Sequence, residues 1–107
     1  MAKKEETRLA ELWDARLKKE FGKDLELENI QQVGKIGTPD RLGCLLGMHV
    51  ALEYKTEVGK PSKIQLLKLG RYKRAKGYTA IVTPSTFEFV LDELKALHKQ
   101  AKNTYGF

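Results

Sequence analysis

The sequence predicts an α/β fold in which helices flank a mixed sheet, in the order α-β-β-β-α-β-α. Two observations lead to this prediction. Apolar residues recur at spacings of three and four near both ends of the chain, which is typical of amphipathic helices. Short apolar runs bounded by glycine and proline lie between these segments and indicate strands. The 107 residues suffice for one hydrophobic core but not two, so we expect one domain over residues 1–107, frayed at about 1–4 and 100–107.

The expected elements are, in chain order, a helix at 4–20, strands at 25–33, 41–46 and 48–56, a helix at 62–76, a strand at 78–82, and a helix from 85 to about 98. Leu9, Trp13 and Leu17 line one face of the first helix, and Gly22 ends it. Leucine and glutamate alternate in the segment that follows, which predicts an edge strand.

The second and third strands are predicted to form a hairpin with a tight turn at Gly47. Antiparallel neighbours place the start of one strand beside the end of the other, so we expect Asp40 and Glu53 at the same end of the sheet. Lys55 lies two residues after Glu53 and therefore points to the same face of the strand. Two carboxylates and an ammonium group form the minimum set for a divalent-metal site that activates water.

The second and third helices carry recognisable end signals. Ser62 is a suitable N-cap for the second helix, and Gly77 ends it. Its apolar residues cover much of its circumference, which predicts that it is sandwiched between other parts of the structure. In the third helix, Ser85 and Glu88 have the spacing of a capping box.

The basic residues are unevenly distributed in a chain whose net charge is +6. Seven of them fall within seventeen residues that contain no acid: Lys60, Lys63, Lys68, Arg71, Lys73, Arg74 and Lys76. This density predicts a phosphate-binding surface, and the alternative is a solvated helix face. Lys60 and Lys63 are the favoured contacts, followed by Lys68 and Arg71.

Composition limits the compartment and the kind of metal. Cys44 is the only cysteine, so no internal disulfide forms and a reducing cytoplasm is expected; its apolar strand predicts that it is buried. No apolar run is long enough to span a bilayer, and no signal peptide is visible. One cysteine and two histidines effectively exclude a structural zinc site, which leaves a hard, oxygen-bound ion.

Four motifs occur in this order of elements. They are Gly37-x-Pro39-Asp40, Glu53-x-Lys55 at the end of an apolar strand, Gly59-Lys60-x-Ser62-x-x-Gln65, and Val82-x-Pro84-Ser85 before a helix. Together they resemble the PD-(D/E)XK nuclease superfamily, most closely the small virus-type replication-repair nuclease domain and the archaeal Holliday-junction resolvases. The resemblance runs from about residue 6 to residue 97 and implies a restriction-endonuclease-like core.

The resemblance also implies an activity. The expected protein is a metal-dependent endonuclease that hydrolyses DNA phosphodiester bonds in duplex or branched DNA, acting in replication, repair or recombination in a bacterial, archaeal or viral setting. Asp40 and Glu53 would hold Mg²⁺ or Mn²⁺ with help from the Tyr54 backbone carbonyl. Lys55 would orient or deprotonate the attacking water, or neutralise the transition state. A homodimer with no further small-molecule cofactor is expected.

Two other residues are candidates for the site. The family often takes an additional acid from the first helix, and at 100° per residue Glu6 lies about 60° from Leu9, within the apolar stripe; we expect it to point inward as a further catalytic residue and metal ligand. The alternative is an acid favoured by the helix dipole. Gln65 is expected near the strand end at Lys55, where it would contact the metal-bound water, Lys55 or a phosphate, or remain solvated.

Two further functions stay open. One is a nuclease-fold protein that binds nucleic acid without catalysis. The other is a small basic ribosomal or RNA-associated domain. Neither requires Asp40, Glu53 and Lys55 together.

Overall fold

The computed structural model describes residues 2–30, 40–58 and 60–105. Gly37 and Pro39 of the first motif, and Gly59 of the third, lie outside the described residues. The elements are, in chain order, α1 Ala2–Phe21, a short 3₁₀ helix Gly22–Asp24, β1 Leu25–Asn29, β2 Arg41–Leu45, β3 Met48–Tyr54, α2 Lys63–Arg74, β4 Tyr78–Val82 and α3 Phe87–Tyr105. The predicted α/β class is confirmed. No helix in these ranges combines the length and apolar character that crossing a membrane requires.

The strands form one sheet in the order β1-β2-β3-β4. The first two pairings are antiparallel and the β3–β4 pairing is parallel, so the sheet is mixed and α2 is the crossover that parallel neighbours require. Val50, Ala51 and Leu52 are 0% exposed. The middle of β3 is therefore covered on both faces.

The helices divide between the two faces of the sheet. Trp13 of α1 stacks on Phe87 of α3 with ring centroids 5.9 Å apart, and both rings belong to the core that includes Leu52. On the other face, Tyr72 of α2 stacks on His49 of β3 at 4.9 Å. Side chains alternate along a strand, so neighbouring residues of β3 point to different helices.

The β2–β3 hairpin fixes the register on which the site depends. Leu46 and Gly47 have φ values of 45° and 89°, the pair of positive angles that a two-residue type I′ turn needs. This turn pairs Arg41 with Leu52. The turn predicted at Gly47 is confirmed.

Two burial predictions are wrong. Helix α2 is not sandwiched within the described chain, because Ile64, Leu66 and Leu67 are 44%, 49% and 58% exposed. Cys44 is exposed rather than buried. Helix α2 packs on β4 and β3, and Cys44 on the same side of β2 is exposed.

The ends of the helices differ in how well the sequence predicts them. Ser62 caps α2 as expected, in a reciprocal capping box with Gln65. The capping box predicted for Ser85 and Glu88 is wrong, because α3 begins at Phe87, whose N–H donates to the carbonyl of Thr83 at 2.9 Å. Helix α3 also continues to Tyr105, beyond the point where fraying was expected.

Candidate active site

The ends of β2 and β3 bring two carboxylates together. The register that pairs Arg41 with Leu52 places Asp40, just before β2, beside Glu53 near the end of β3. The Tyr54 backbone N–H donates a hydrogen bond to Asp40 Oδ2 at 3.0 Å. The Asp40 carbonyl accepts from the Ile30 N–H at 2.9 Å, so both the backbone and the side chain of Asp40 are held.

Glu53 is the most unusual residue of this site because it is a carboxylate with only 1% of its surface exposed. Its Oε2 accepts a hydrogen bond from Gln65 Nε2 at 2.6 Å and lies 3.4 Å from Lys55 Nζ. Its Oε1 is buried and has no hydrogen-bond partner among the described residues. A buried polar atom left unpaired costs roughly 1–3 kcal/mol, so this oxygen is suited to a ligand that supplies positive charge.

Burial raises the pKa of both carboxyl groups. Burial, with a further contribution from the Asp40 charge, raises the pKa of Glu53 to about 7 against the opposing effect of Lys55. Burial also raises the pKa of Asp40, against the opposing hydrogen bond from the Tyr54 amide and the charge of Lys55. Two carboxylates that share one site and resist ionisation together are typical of sites that receive a cation or a proton.

Gln65 is placed by the start of α2. Its side-chain oxygen accepts from the Ser62 N–H at 2.8 Å, and its backbone N–H donates to Ser62 Oγ at 3.1 Å. The side-chain amide nitrogen is thereby directed at Glu53. Gln65 lies near the strand end at Lys55, as expected, with its amide on Glu53, and its contact with a metal-bound water or a phosphate stays a prediction.

Lys55 lies on the same face as Glu53, as its spacing predicts. Its backbone N–H donates to the Val82 carbonyl at 2.8 Å, which continues the parallel pairing of β3 with β4. Its side chain is 26% exposed while pairing with the buried carboxylate. The ammonium group therefore stands between Glu53 and solvent.

Glu6 does not point inward. It lies on α1 and is exposed, although its charge contributes to raising the pKa of Asp40 and so reaches the site electrostatically. Within the ranges that the structure describes, no group of three or more His, Cys, Asp or Glu side chains is arranged to hold a metal ion. The acids brought together are Asp40 and Glu53, with the predicted backbone ligand Tyr54 next in the chain.

A second polar cluster lies beneath these residues and was not predicted. Asp14 of α1 accepts hydrogen bonds from the Tyr54 hydroxyl at 2.8 Å and from Arg41 Nε and Nη2 at 3.0 and 2.9 Å. Burial, and the nearby Asp14 charge, raise the pKa of Tyr54 above its usual range, so the phenol stays a donor. The sequence carries one signal: Arg41 shares strand parity with the apolar Leu45, and a charged residue that faces the core requires a partner.

A contact from the β4–α3 turn holds Glu57, which lies between the site and α2. The Ser85 N–H donates to Glu57 Oε1 at 2.9 Å, and the Ser85 hydroxyl donates to the same carboxylate. This contact explains why Ser85 does not cap α3. It anchors the loop that connects Lys55 to Lys60.

The predicted phosphate-binding residues lie on that loop and on α2. Lys60, Lys63 and Arg71 are exposed and Lys68 is half-buried. None of the four forms a salt bridge with the acids that the structure describes. Lys63 is the first residue of α2, and Gln65, which contacts the buried carboxylate, lies in the same helical turn.

Comparison of the chain with protein-family models, curated proteins and solved structures finds no significant match.

Proposed function

We propose that this protein is a Mg²⁺- or Mn²⁺-dependent endonuclease of the PD-(D/E)XK type that hydrolyses DNA phosphodiester bonds. The observation that carries the proposal is the state of Glu53. It is a fully buried carboxylate, one oxygen of which has no hydrogen-bond partner among the described residues, and it lies beside a second carboxylate and an ammonium group. An apolar residue would fill this position at lower cost, so a ligand-binding role accounts best for the acid.

The residues present fit a hard divalent cation. Mg²⁺ keeps several of its waters and is usually bound by one or two carboxylates together with substrate phosphates, so Asp40 and Glu53 form a sufficient protein set. The Tyr54 carbonyl is a further proposed ligand, and Glu6 would contribute by charge. A cation here would pair with Glu53 Oε1 and offset the burial and the Asp40 charge that raise the pKa of Glu53.

The chemistry divides among these residues. The ion, when bound, supplies Lewis-acid stabilisation of the phosphate and a more acidic water. The Lys55 ammonium is placed to orient the attacking water or to neutralise charge that develops on the phosphate. Gln65 holds Glu53 in place, and the exposed side chains of Lys60 and Lys63 would bind phosphates that flank the reacting one.

DNA, duplex or branched, is the proposed substrate. The net charge of +6 and the basic residues of α2, which form no salt bridge with the acids that the structure describes, favour a polyanion. Structure-specific cleavage, by nicking or at junctions or flaps, in replication, repair or recombination is part of the proposal. We also propose that the protein forms a homodimer, and light scattering of the purified chain tests this.

Plasmid nicking measured with Mg²⁺, with Mn²⁺ and with EDTA tests the activity. We expect cleavage that requires the metal and that Asp40→Ala or Glu53→Ala abolishes. Each variant should bind DNA as tightly as wild type or slightly more tightly, because it loses a negative charge near the phosphates. Cleavage at the wild-type rate by either variant would show that the site assignment is wrong. Metal-independent DNA binding without cleavage would support the alternative of a binding protein with a nuclease fold.

A further inference from the structure

The two proposed metal ligands are each followed in the chain by a residue that Asp14 holds. Arg41 follows Asp40, and Tyr54 follows Glu53. Asp14 Oδ1 accepts from the Tyr54 hydroxyl at 2.8 Å and from Arg41 Nε at 3.0 Å, while Oδ2 accepts from Arg41 Nη2 at 2.9 Å. One carboxylate of α1 therefore ties together the two strand ends that carry the site.

Two of the three residues in this cluster are buried, while 42% of the Asp14 side chain is exposed. Arg41 is 8% exposed and Tyr54 is 9% exposed, and the guanidinium lies 4.7 Å from the centroid of the Tyr54 ring. Asn29 Oδ1 accepts a further hydrogen bond from Arg41 Nη1 at 3.0 Å. Charge-assisted, two-pronged hydrogen bonds of this kind are strong and restrict geometry, and removing one partner leaves a buried charge unpaired.

The positions of Arg41 and Tyr54 in the two strands distinguish this cluster from an ordinary packing contact. Adjacent side chains of a strand project to opposite faces but share one backbone, so fixing Arg41 and Tyr54 on the α1 side fixes the direction of Asp40 and Glu53 on the other side. The ion pair of Arg16 with Glu88 also involves α1, yet it joins α1 to α3 and touches neither strand end.

We propose that Asp14 is a positioning residue, which sets the separation of Asp40 and Glu53 for a divalent cation by holding Arg41 and Tyr54. This inference rests on the proposed function, since it assumes that the two carboxylates bind the ion. Groups that orient metal ligands typically change metal affinity about 10–100-fold when they are removed. Asp14 contacts neither carboxylate, so its effect passes through the backbone.

Mn²⁺ binding measured by calorimetry or by electron paramagnetic resonance tests the inference without any substrate. Asp14→Asn keeps the size of the side chain but replaces one acceptor with a donor that faces Arg41. We expect its dissociation constant for Mn²⁺ to rise about tenfold or more. Tyr54→Phe removes only the hydroxyl and should produce a smaller rise. Glu88→Gln is the matched control, since it breaks the other α1 ion pair and should leave the affinity unchanged.

Thermal unfolding of each variant identifies the temperature at which all are fully folded, and affinities are compared there. A purely structural role for Asp14 would lower the melting temperature and leave the Mn²⁺ affinity of the folded molecules unchanged. That result for both Asp14→Asn and Tyr54→Phe would overturn the inference while leaving the proposed function intact. Absence of Mn²⁺ binding by the wild-type protein would instead overturn the proposed function, and the inference with it.

Discussion

Gln65 donates its side-chain N–H to the buried Glu53 carboxylate at 2.6 Å while its side-chain oxygen accepts the N–H of the residue that caps the helix. The same side chain thus completes a capping box and orients a candidate metal ligand. The start of α2 and the geometry of the site cannot vary independently.

This double role predicts different consequences for the two partners of the capping box. Ser62→Ala should lower the free energy of unfolding by about 1 kcal/mol, the usual effect of losing an N-cap, with little change in Mn²⁺ affinity. Gln65→Ala should lower both the free energy of unfolding and the Mn²⁺ affinity, because Glu53 also loses the hydrogen bond from the Gln65 side-chain amide. Urea unfolding and Mn²⁺ titration of the two variants check this. Equal Mn²⁺ affinity in both would show that Gln65 acts only as a cap.

The raised pKa of Glu53 predicts how stability depends on pH in the absence of metal. Its folded pKa is about 7 against an ordinary value of 4.5, so the folded state holds this proton more tightly than the unfolded state does. Stability is therefore greatest below pH 4.5 as far as this group is concerned, falls as pH rises between 4.5 and 7, and stays lower above 7.

Glu53→Gln removes the buried charge and should cancel this dependence. In EDTA at pH 8 the variant should exceed wild type in the free energy of unfolding, by up to roughly 3 kcal/mol, and at pH 5 the difference should shrink. Mn²⁺ should stabilise wild type and not the variant. Urea unfolding at the two pH values provides the measurement, and an advantage of equal size at both would contradict the raised pKa.

Lys55 should matter for cleavage more than for metal binding. Lys55→Ala removes the ammonium group 3.4 Å from Glu53 Oε2 but neither carboxylate. We expect it to lose most of its nicking activity and still bind Mn²⁺. Lys99→Ala, on the exposed surface of α3, is the control and should cleave normally. Loss of Mn²⁺ binding in Lys55→Ala would assign the lysine a structural role.

The basic surface predicts steep salt dependence of DNA binding, because neutralised phosphates release condensed counterions. Each lysine that contacts a phosphate should reduce the slope of log K against log salt by roughly one when changed to alanine. The double change Lys60→Ala, Lys63→Ala should therefore reduce it by about two. Lys99→Ala, Lys102→Ala on α3 is the matched control. A double variant with the wild-type slope would place the DNA surface elsewhere, with α1 around Arg8 and Arg16 as the next candidate.

Local signals predict much of this fold. The helices follow from apolar periodicity, the cap at Ser62 follows from residue type, and the turn at Gly47 sets the register that brings Asp40 to Glu53. These features depend on residues close together in the sequence, or on pairing rules that apply to any hairpin.

The unpredicted features depend on contacts between distant segments. Asp14 and Arg41 are 27 residues apart, and only the packing of α1 on the sheet brings them together. Serine is a residue type that often caps helices, but Ser85 donates its hydrogen bond to Glu57, 28 residues away in the sequence. Cys44 is exposed because α2 covers only part of its side of the sheet, which no property of the β2 sequence reveals.

Side chains alternate along β2 and β3, so the two faces of the sheet can carry different roles. Under the proposed function, the residues that would meet a substrate lie on the α2 side of the sheet, and those that hold the strand ends lie on the α1 side. We therefore expect that the outer surface of α2 can be changed to fit a different nucleic-acid shape, provided that Gln65 and the buried Leu69 are kept. We therefore expect α2 to determine substrate recognition, while the sheet and α1 maintain the geometry of the site.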